Sequence, residues 1–416
     1  MMKLGKYSFG TGDRFAHQGE AQMQGSILAK KAGVDLTHVW NKSYREHKTV
    51  KSDPSSVRIE ADDAVNSLGW TGQYLVDADH INMNTVDGFV PYSDFFTLDV
   101  ADYIGKEANR KEIDTFIKKY SKFTGQLTIP GIETPFNIDN EFLNKIAATF
   151  LYAANEAGKI YRRIAELKGN EDFIAEVSMD EVENPQTPAE LFFILAAIAD
   201  AGIPAQTIAP KFTGRFNKGV DYVGDTDQFA REFEEDILVI RHAIKEFGLP
   251  ESLKLSVHSG SDKFSIYRPI RELTRKYNTG VHVKTAGTTW LEELIGLAEA
   301  GGDGFELAKK IYAKALNRFD ELTGPYATVI DVQIEKLPSA AEVNGWSGEK
   351  YANTLRHNQD HPDFNPQFRQ LLHCGYKVAA EYGDTYFNAL DKYKDIIAKN
   401  VTENIYERHI KPLFIG

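Results

Sequence analysis

Leu253-Lys-Leu-Ser-Val-His258-Ser-Gly-Ser-Asp262-Lys263-Phe-Ser-Ile-Tyr267, followed after a short amphipathic run by Gly280-Val-His282-Val-Lys284-Thr-Ala-Gly-Thr-Thr-Trp290, decides the fold. Two alternating, strand-like runs each close on a polar cluster, and a helix-like run joins them. Alternation sends residues i and i+2 to one face, so His282 and Lys284 share a side. With the two strands as parallel neighbours, both clusters lie at the same end of a sheet. The first holds His258, Ser259, Ser261, Asp262 and Lys263; the second holds His282, Lys284 and Thr285. That end is where α/β enzymes keep their chemistry.

The same rhythm runs backwards from this stretch. Strand-like runs occur at Ser8–Arg14, Leu36–Asn41, Tyr74–His80, Phe95–Val100, Phe173–Ser178 and Thr207–Phe212. Helix-like runs lie between them: Glu20–Lys31 closed by Gly33, Val57–Leu68 closed by Gly69, a short Thr85–Val90, and Asp227–Phe247. Thr187-Pro188-Ala189-Glu190 reads as a helix start, with Thr as cap, Pro at the first position and Glu three residues on. Eight strands, each followed by a helix, predict a (β/α)₈ barrel of the TIM type. Gly105–Asn170 breaks the rhythm and reads as a helical insertion after strand four, with a loop around Thr128–Phe136. Residues 1–302 then form the catalytic barrel, and 303–416, helical and punctuated by Pro325, Pro338, Pro362 and Pro366, form an extension packed on it. No glycine-rich phosphate loop opens a helix, so nucleotide-binding folds lose ground.

Bulk composition narrows the partners. The net charge of −12 argues against nucleic acid and anionic membranes, which need a basic face. It leaves room for a small anionic substrate held by a few local cations, and for a homo-oligomer. A single cysteine, Cys374, excludes an internal disulfide framework, and no stretch has the length of a signal peptide's apolar core or a membrane span; we expect a cytoplasmic protein.

Three sets of residues carry chemistry. His80, His258 and His282 end the third, seventh and eighth strands. One histidine alone reads as a satisfied core residue. Three at equivalent strand ends read as ligands of one divalent ion, with Zn, Mn, Ni, Co and Fe all compatible. Asp79 precedes His80, and Glu176 interrupts an apolar strand. There it either faces a cavity with a raised pKa suited to proton donation, or pairs with a lysine across the barrel. Asp180, Glu181 and Glu183 read as a solvated loop face or as outer groups. Arg14, Lys211, Arg215, Lys263 and Lys284, with Asp262 beside them, form a substrate-binding set in which Arg suits a bidentate grip on a carboxylate. Ion pairs with the nearby acids are the competing reading for these cations. From pattern alone this is a metal-dependent barrel enzyme acting on a small polar anion.

The motifs Phe9–Arg14, Asp77–His80, Glu176–Glu181, Lys218–Asp225, His258–Ser265 and His282–Thr288 resemble those of the tagaturonate epimerases. Beyond Gly302 the resemblance is weaker. Family members carry a further segment before the first motif, a difference that bears on subunit contacts more than on the site. The resemblance implies interconversion of D-tagaturonate and D-fructuronate in hexuronate catabolism with a divalent metal. It also implies Asp79 as proton acceptor, Glu176 as proton donor, and His80 and His258 as ligands. His282 as a further ligand follows from its strand-end position. The two sugars differ at C4, which is β to the C2 ketone, so its hydrogen is not acidified as an α-hydrogen would be. Retro-aldol cleavage of C3–C4 with rotation of the aldehyde, or two-base exchange at carbon, would invert it. A sugar-acid aldolase, an aldose–ketose isomerase and a non-catalytic sugar-acid sensor are the competing functions.

Overall fold

Short runs of β-branched, aromatic and small residues, buried on both faces, build the barrel, as parallel strands covered by helices require. The computed structural model describes residues 2–180, 182, 184–285 and 287–416. Its strands are β1 (Tyr7–Thr11), β2 (Leu36–Ser43), β3 (Tyr74–Ile81), β4 (Phe95–Asp99), β5 (Gly125–Leu127), β6 (Phe136–Ile138), β7 (Ile174–Ser178), β8 (Thr207–Ala209), β9 (Lys254–Val257) and β10 (Val281–Thr285). All but β5 and β6 pair in parallel in the closed order β1-β10-β9-β8-β7-β4-β3-β2. The eight-stranded barrel expected from the sequence is present, and Tyr7 opposite Val281 closes it.

Register sorts the interior into layers. Val39, Leu75, Phe95 and Ile174 form an apolar plug at the lower end. One step up each strand, Asn41, Asp77, Thr97 and Glu176 replace them. The barrel interior therefore changes from apolar to polar towards the carboxyl ends of its strands, where barrel enzymes work.

Between β4 and β7 the chain makes a helix, Arg110–Tyr120, then the antiparallel hairpin β5–β6, then the 29-residue helix Asn140–Lys168. The expected loop is the tip of that hairpin. The long helix is the barrel's own crossover, because it leads directly into β7. Thr187 caps Pro188–Asp200 in the expected box: its Oγ1 accepts from Glu190 N at 3.2 Å, and Glu190 Oε2 accepts from Thr187 N at 2.8 Å.

Beyond Gly302 the chain is helical, and it packs on Thr288–Ala300, whose residues from Thr288 to Ala298 are all buried. Trp290 Nε1 donates to Leu372 O at 2.7 Å, and Tyr386 OH donates to Glu293 Oε2 at 2.7 Å. Gly296 and Gly348 permit close approach, since a Cβ would lie 2.6 Å from Ile397 Cγ1 at the first and 2.1 Å from Ala298 O at the second.

Candidate active site

Four strand ends position the polar side chains. β3 ends on a register shift between Ala78 and Ile81, and His80 sits at φ 52°, in the left-handed region. In an ideal strand Asp79 and His80 would face opposite ways. The left-handed residue turns the backbone so that Asp79 Oδ1 meets His80 Nδ1 at 2.9 Å and both line the barrel mouth. β7 delivers Glu176 and, just past its end, Asp180. β9 delivers His258. β10 delivers Lys284.

These groups interlock. His258 Nε2 lies 2.7 Å from Glu176 Oε1, and its Nδ1 lies 3.1 Å from Asp180 Oδ1. His80 Nε2, which has no hydrogen-bond partner among the described residues, points to the same Asp180 oxygen at 3.8 Å. Ligand atoms of His80, Asp180 and His258 all lie within 4.8 Å of one another. Each ring is thus oriented by a carboxylate, Asp79 or Glu176, while its far nitrogen converges on Asp180. That is how metal-ligating histidines are held. Two imidazoles and a carboxylate suit zinc, manganese, iron, cobalt or nickel.

Lys284 ties the set together. Its Nζ lies 2.7 Å from Asp77 Oδ2, 2.8 Å from Asp79 Oδ1 and 3.1 Å from Glu176 Oε1. Burial alone would raise Asp79, but Lys284 and His80 hold it well below the usual carboxylate range. Burial likewise opposes the charge on Glu176, yet Lys284 and His258 keep it ionised. The raised pKa expected for Glu176 is therefore not found; its pairing with a lysine across the barrel is. Asp77 is the carboxyl that burial wins, pushed up to about 7 despite Lys284. Against burial, Asp180 and Glu176 raise His258 to about 9, and Asp79 and Asp180 raise His80 well above its ordinary value. This field favours positive charge between the two rings, and a divalent cation satisfies the same field.

A cavity of about 250 Å³ opens onto Asp79, His80, Asp180, His258 and Lys284. It shares Arg45, Lys218, Ser259 and Tyr326 with an adjoining cavity of about 650 Å³. A larger hollow, about 860 Å³, lies outside the barrel between Arg110–Tyr120 and Asn140–Lys168, far from this cluster. Arg14 is on the wall of the small cavity, ion-paired with Glu46 and stacked 4.1 Å over Tyr376. Lys211 and Arg215 line the adjoining cavity, and Arg215 is half exposed beside Asp331 at 3.7 Å.

Four sequence assignments change. His282 is not in the ligand group: the strand continues to Thr285, so Lys284 takes the top layer. His282 lies one layer below, with Nδ1 2.9 Å from Ser8 Oγ and burial lowering it to about 3. Asp262 faces away from the cavity, accepting from Arg369 Nη2 at 2.9 Å while its own N–H donates to His409 Nε2 at 2.9 Å. Lys263 donates to the carbonyls of Asn217, Val220 and Ser261 at 2.7–2.9 Å. Its charge is spent on holding loops. Asp180, read from the sequence as an outer group, is instead the hub between the two rings. Glu181 and Glu183 lie outside the described residues.

The family model for tagaturonate epimerase, UxaE, matches residues 1–413. The tagaturonate/fructuronate epimerase of Thermotoga maritima is 28% identical over 429 residues, covering 97% of this chain and 80% of that protein. The glycerol-complexed crystal structure of fructuronate-tagaturonate epimerase from Cohnella laeviribosi matches with a TM-score of 0.82 at 24% identity, over 99% of this chain and 82% of that one. A probable tagatose 6 phosphate kinase from Sinorhizobium meliloti 1021 matches in fold with a TM-score of 0.52 at 10% identity, covering 98% of this chain and 100% of that one.

Proposed function

The chain belongs to the tagaturonate epimerase family, and from that premise we propose that its barrel mouth interconverts D-tagaturonate and D-fructuronate, the C4 epimers of one ketohexuronate. The observation that carries the reading is the Lys284 ammonium shared by Asp79 and Glu176 beside the His80–Asp180–His258 group.

His80, Asp180 and His258 would hold the divalent ion, since their donor atoms converge and His80 Nε2 has no other partner among the described residues. When bound, that ion would act as a Lewis acid on the oxygens flanking the ketone. The residues do the rest. The Asp79 carboxylate, held ionised, accepts the proton of the C4 hydroxyl. The C3–C4 bond breaks, its electron pair forms the C2–C3 enediolate, and C4 becomes an aldehyde. The Lys284 ammonium stabilises the negative charge that develops. The aldehyde fragment turns about C4–C5, the enediolate adds to its other face, and the proton returns to the C4 oxygen. Glu176 is fully buried behind Lys284 and is absent from the cavity wall, so its part in returning that proton runs through the ammonium. With Glu176 off the cavity wall, Asp79 is the one carboxylate of this pair that meets the substrate. Two-base exchange at C4 needs groups on opposite faces, so cleavage and re-addition is favoured.

Incubating the purified protein with D-tagaturonate and Mn²⁺, Ni²⁺ or Zn²⁺ should yield D-fructuronate, followed by NMR. Run in D₂O, the product should carry no deuterium at C4. Deuterium at C4 would replace this route with deprotonation at carbon, and absence of product with every metal would remove the assignment.

A further inference from the structure

The helical extension reaches the active-site cavity at His373, near the end of the helix Pro366–Cys374. The residue is 2% exposed, and among the described residues neither ring nitrogen has a hydrogen-bond partner. Buried imidazole nitrogens are normally paired, and each unpaired one deserves an explanation. Gly287 lets the ring come close: a Cβ there would lie 2.6 Å from His373 Nε2 and 2.7 Å from Arg14 Nη2. His373 and Arg14 therefore flank the same backbone point. Arg14 and Lys218 both line the cavity and both act on the ring. Burial first, and then these cations, keep the imidazole neutral, so one of its nitrogens carries a hydrogen to donate.

A neutral N–H donor set in the field of two cations matches an anionic oxygen. It offers much less to a hydroxymethyl group. Resting on the epimerase reading above, we propose that His373, with Arg14 and Lys218, binds the substrate's carboxylate, so that the helical extension selects uronates over neutral ketoses. The same cavity is lined by His80, Asp180 and His258, which on the epimerase reading take the keto end of the sugar. The carboxylate is the far end of the same molecule.

The test compares wild type with His373→Phe, which keeps a buried ring and removes the donor, and His373→Gln, which restores an N–H. The sugars are D-tagaturonate and its neutral analogue D-tagatose, with affinities by calorimetry and KM and kcat by NMR. His373→Phe should weaken D-tagaturonate binding and raise its KM about tenfold or more, the scale of one lost hydrogen bond to a charged group. Its kcat should stay within a few-fold, and D-tagatose affinity should hardly change. His373→Gln should recover most of the loss. Unchanged uronate affinity in the Phe variant, or equal weakening for both sugars, would overturn the proposal. If wild type binds D-tagaturonate without converting it, the epimerase reading fails while calorimetry still reads the subsite. If the Phe variant does not fold, His373→Leu carries the same comparison.

Discussion

The smallest decisive feature is the backbone of His80. A non-glycine residue at φ 52° is held there at a cost of about 1–3 kcal/mol, and such residues cluster at working sites. Here the turn converts two strand neighbours that should diverge into a carboxylate–imidazole pair. His80, His258, Glu176 and Lys284 were legible in the sequence because strand alternation and strand ends mark them. Asp180 was not, since its role depends on where a loop folds back between two rings from distant strands. Asp262 and Lys263 were misread because their partners, Arg369, His409 and Asn217, are remote in sequence, and nothing local distinguishes an acid facing a cavity from one facing an arginine. Three substitutions check the new assignment. Asp180→Asn and His258→Ala should each lower bound metal and turnover together, whereas His282→Ala should keep its metal content near wild type by elemental analysis. Loss of metal in His282→Ala would restore it as a ligand. Asp79→Asn and Glu176→Gln should each reduce turnover on the order of a hundredfold, the scale of general acid–base groups, in steady-state assays.

At the scale of elements, the loop after β9 depends on helices far downstream. Asp262, itself at φ 62°, gathers Arg369, His357 and His409, with His357 Nδ1 3.5 Å from its Oδ1. Arg369 also donates to Gly219 O and Leu355 O, each at 2.7 Å. The ion pair is fully buried, so removing one partner strands the other in a medium that cannot solvate it. Asp262→Ala should therefore lower the unfolding free energy by about 3–5 kcal/mol in denaturant titrations. A loss below about 1 kcal/mol would show that the loop holds itself. The eight barrel strands were readable because each, even the three-residue β8, takes its place in the strand–helix alternation. The hairpin β5–β6 was not, being antiparallel and outside that alternation, and the helix Asn140–Lys168 was assigned to an insertion because its length hid that it is a crossover. The capping box of Tyr44–Val50, where Ser43 Oγ and Glu46 Oε2 bond each other's backbone, places Arg45 and Glu46 at the mouth.

The whole molecule carries a pH signature. His38 and His282 are fully buried and lowered to about 3, mainly by burial. Each is neutral in the fold, whereas the unfolded chain binds protons near pH 6.5. Their contribution to stability is present above 6.5 and lost as pH falls from there towards 3, at up to about 1.4 kcal/mol per pH unit for each residue. Asp79, Glu176, Asp180 and Asp262, all lowered, act in the same direction at lower pH. Asp77, pushed up to about 7, opposes the histidines over the same range, so the check is differential: between pH 7 and pH 4.5 the guanidinium midpoint of His38→Gln should fall less, or rise more, than that of the wild type, and identical pH profiles would mean that His38 sets none of the pH dependence. The clamp on Asp262 also has a meaning in time. His409 follows Asp262 by 147 residues, so a ribosome adding about 5–20 residues per second exposes the loop on the order of ten seconds before its last clamp is made. Once β10 has followed, all the barrel strands are synthesised but the His258 loop still lacks its anchor, so the nascent chain should gain its catalytic geometry late, only after residues 404–415 have emerged and docked.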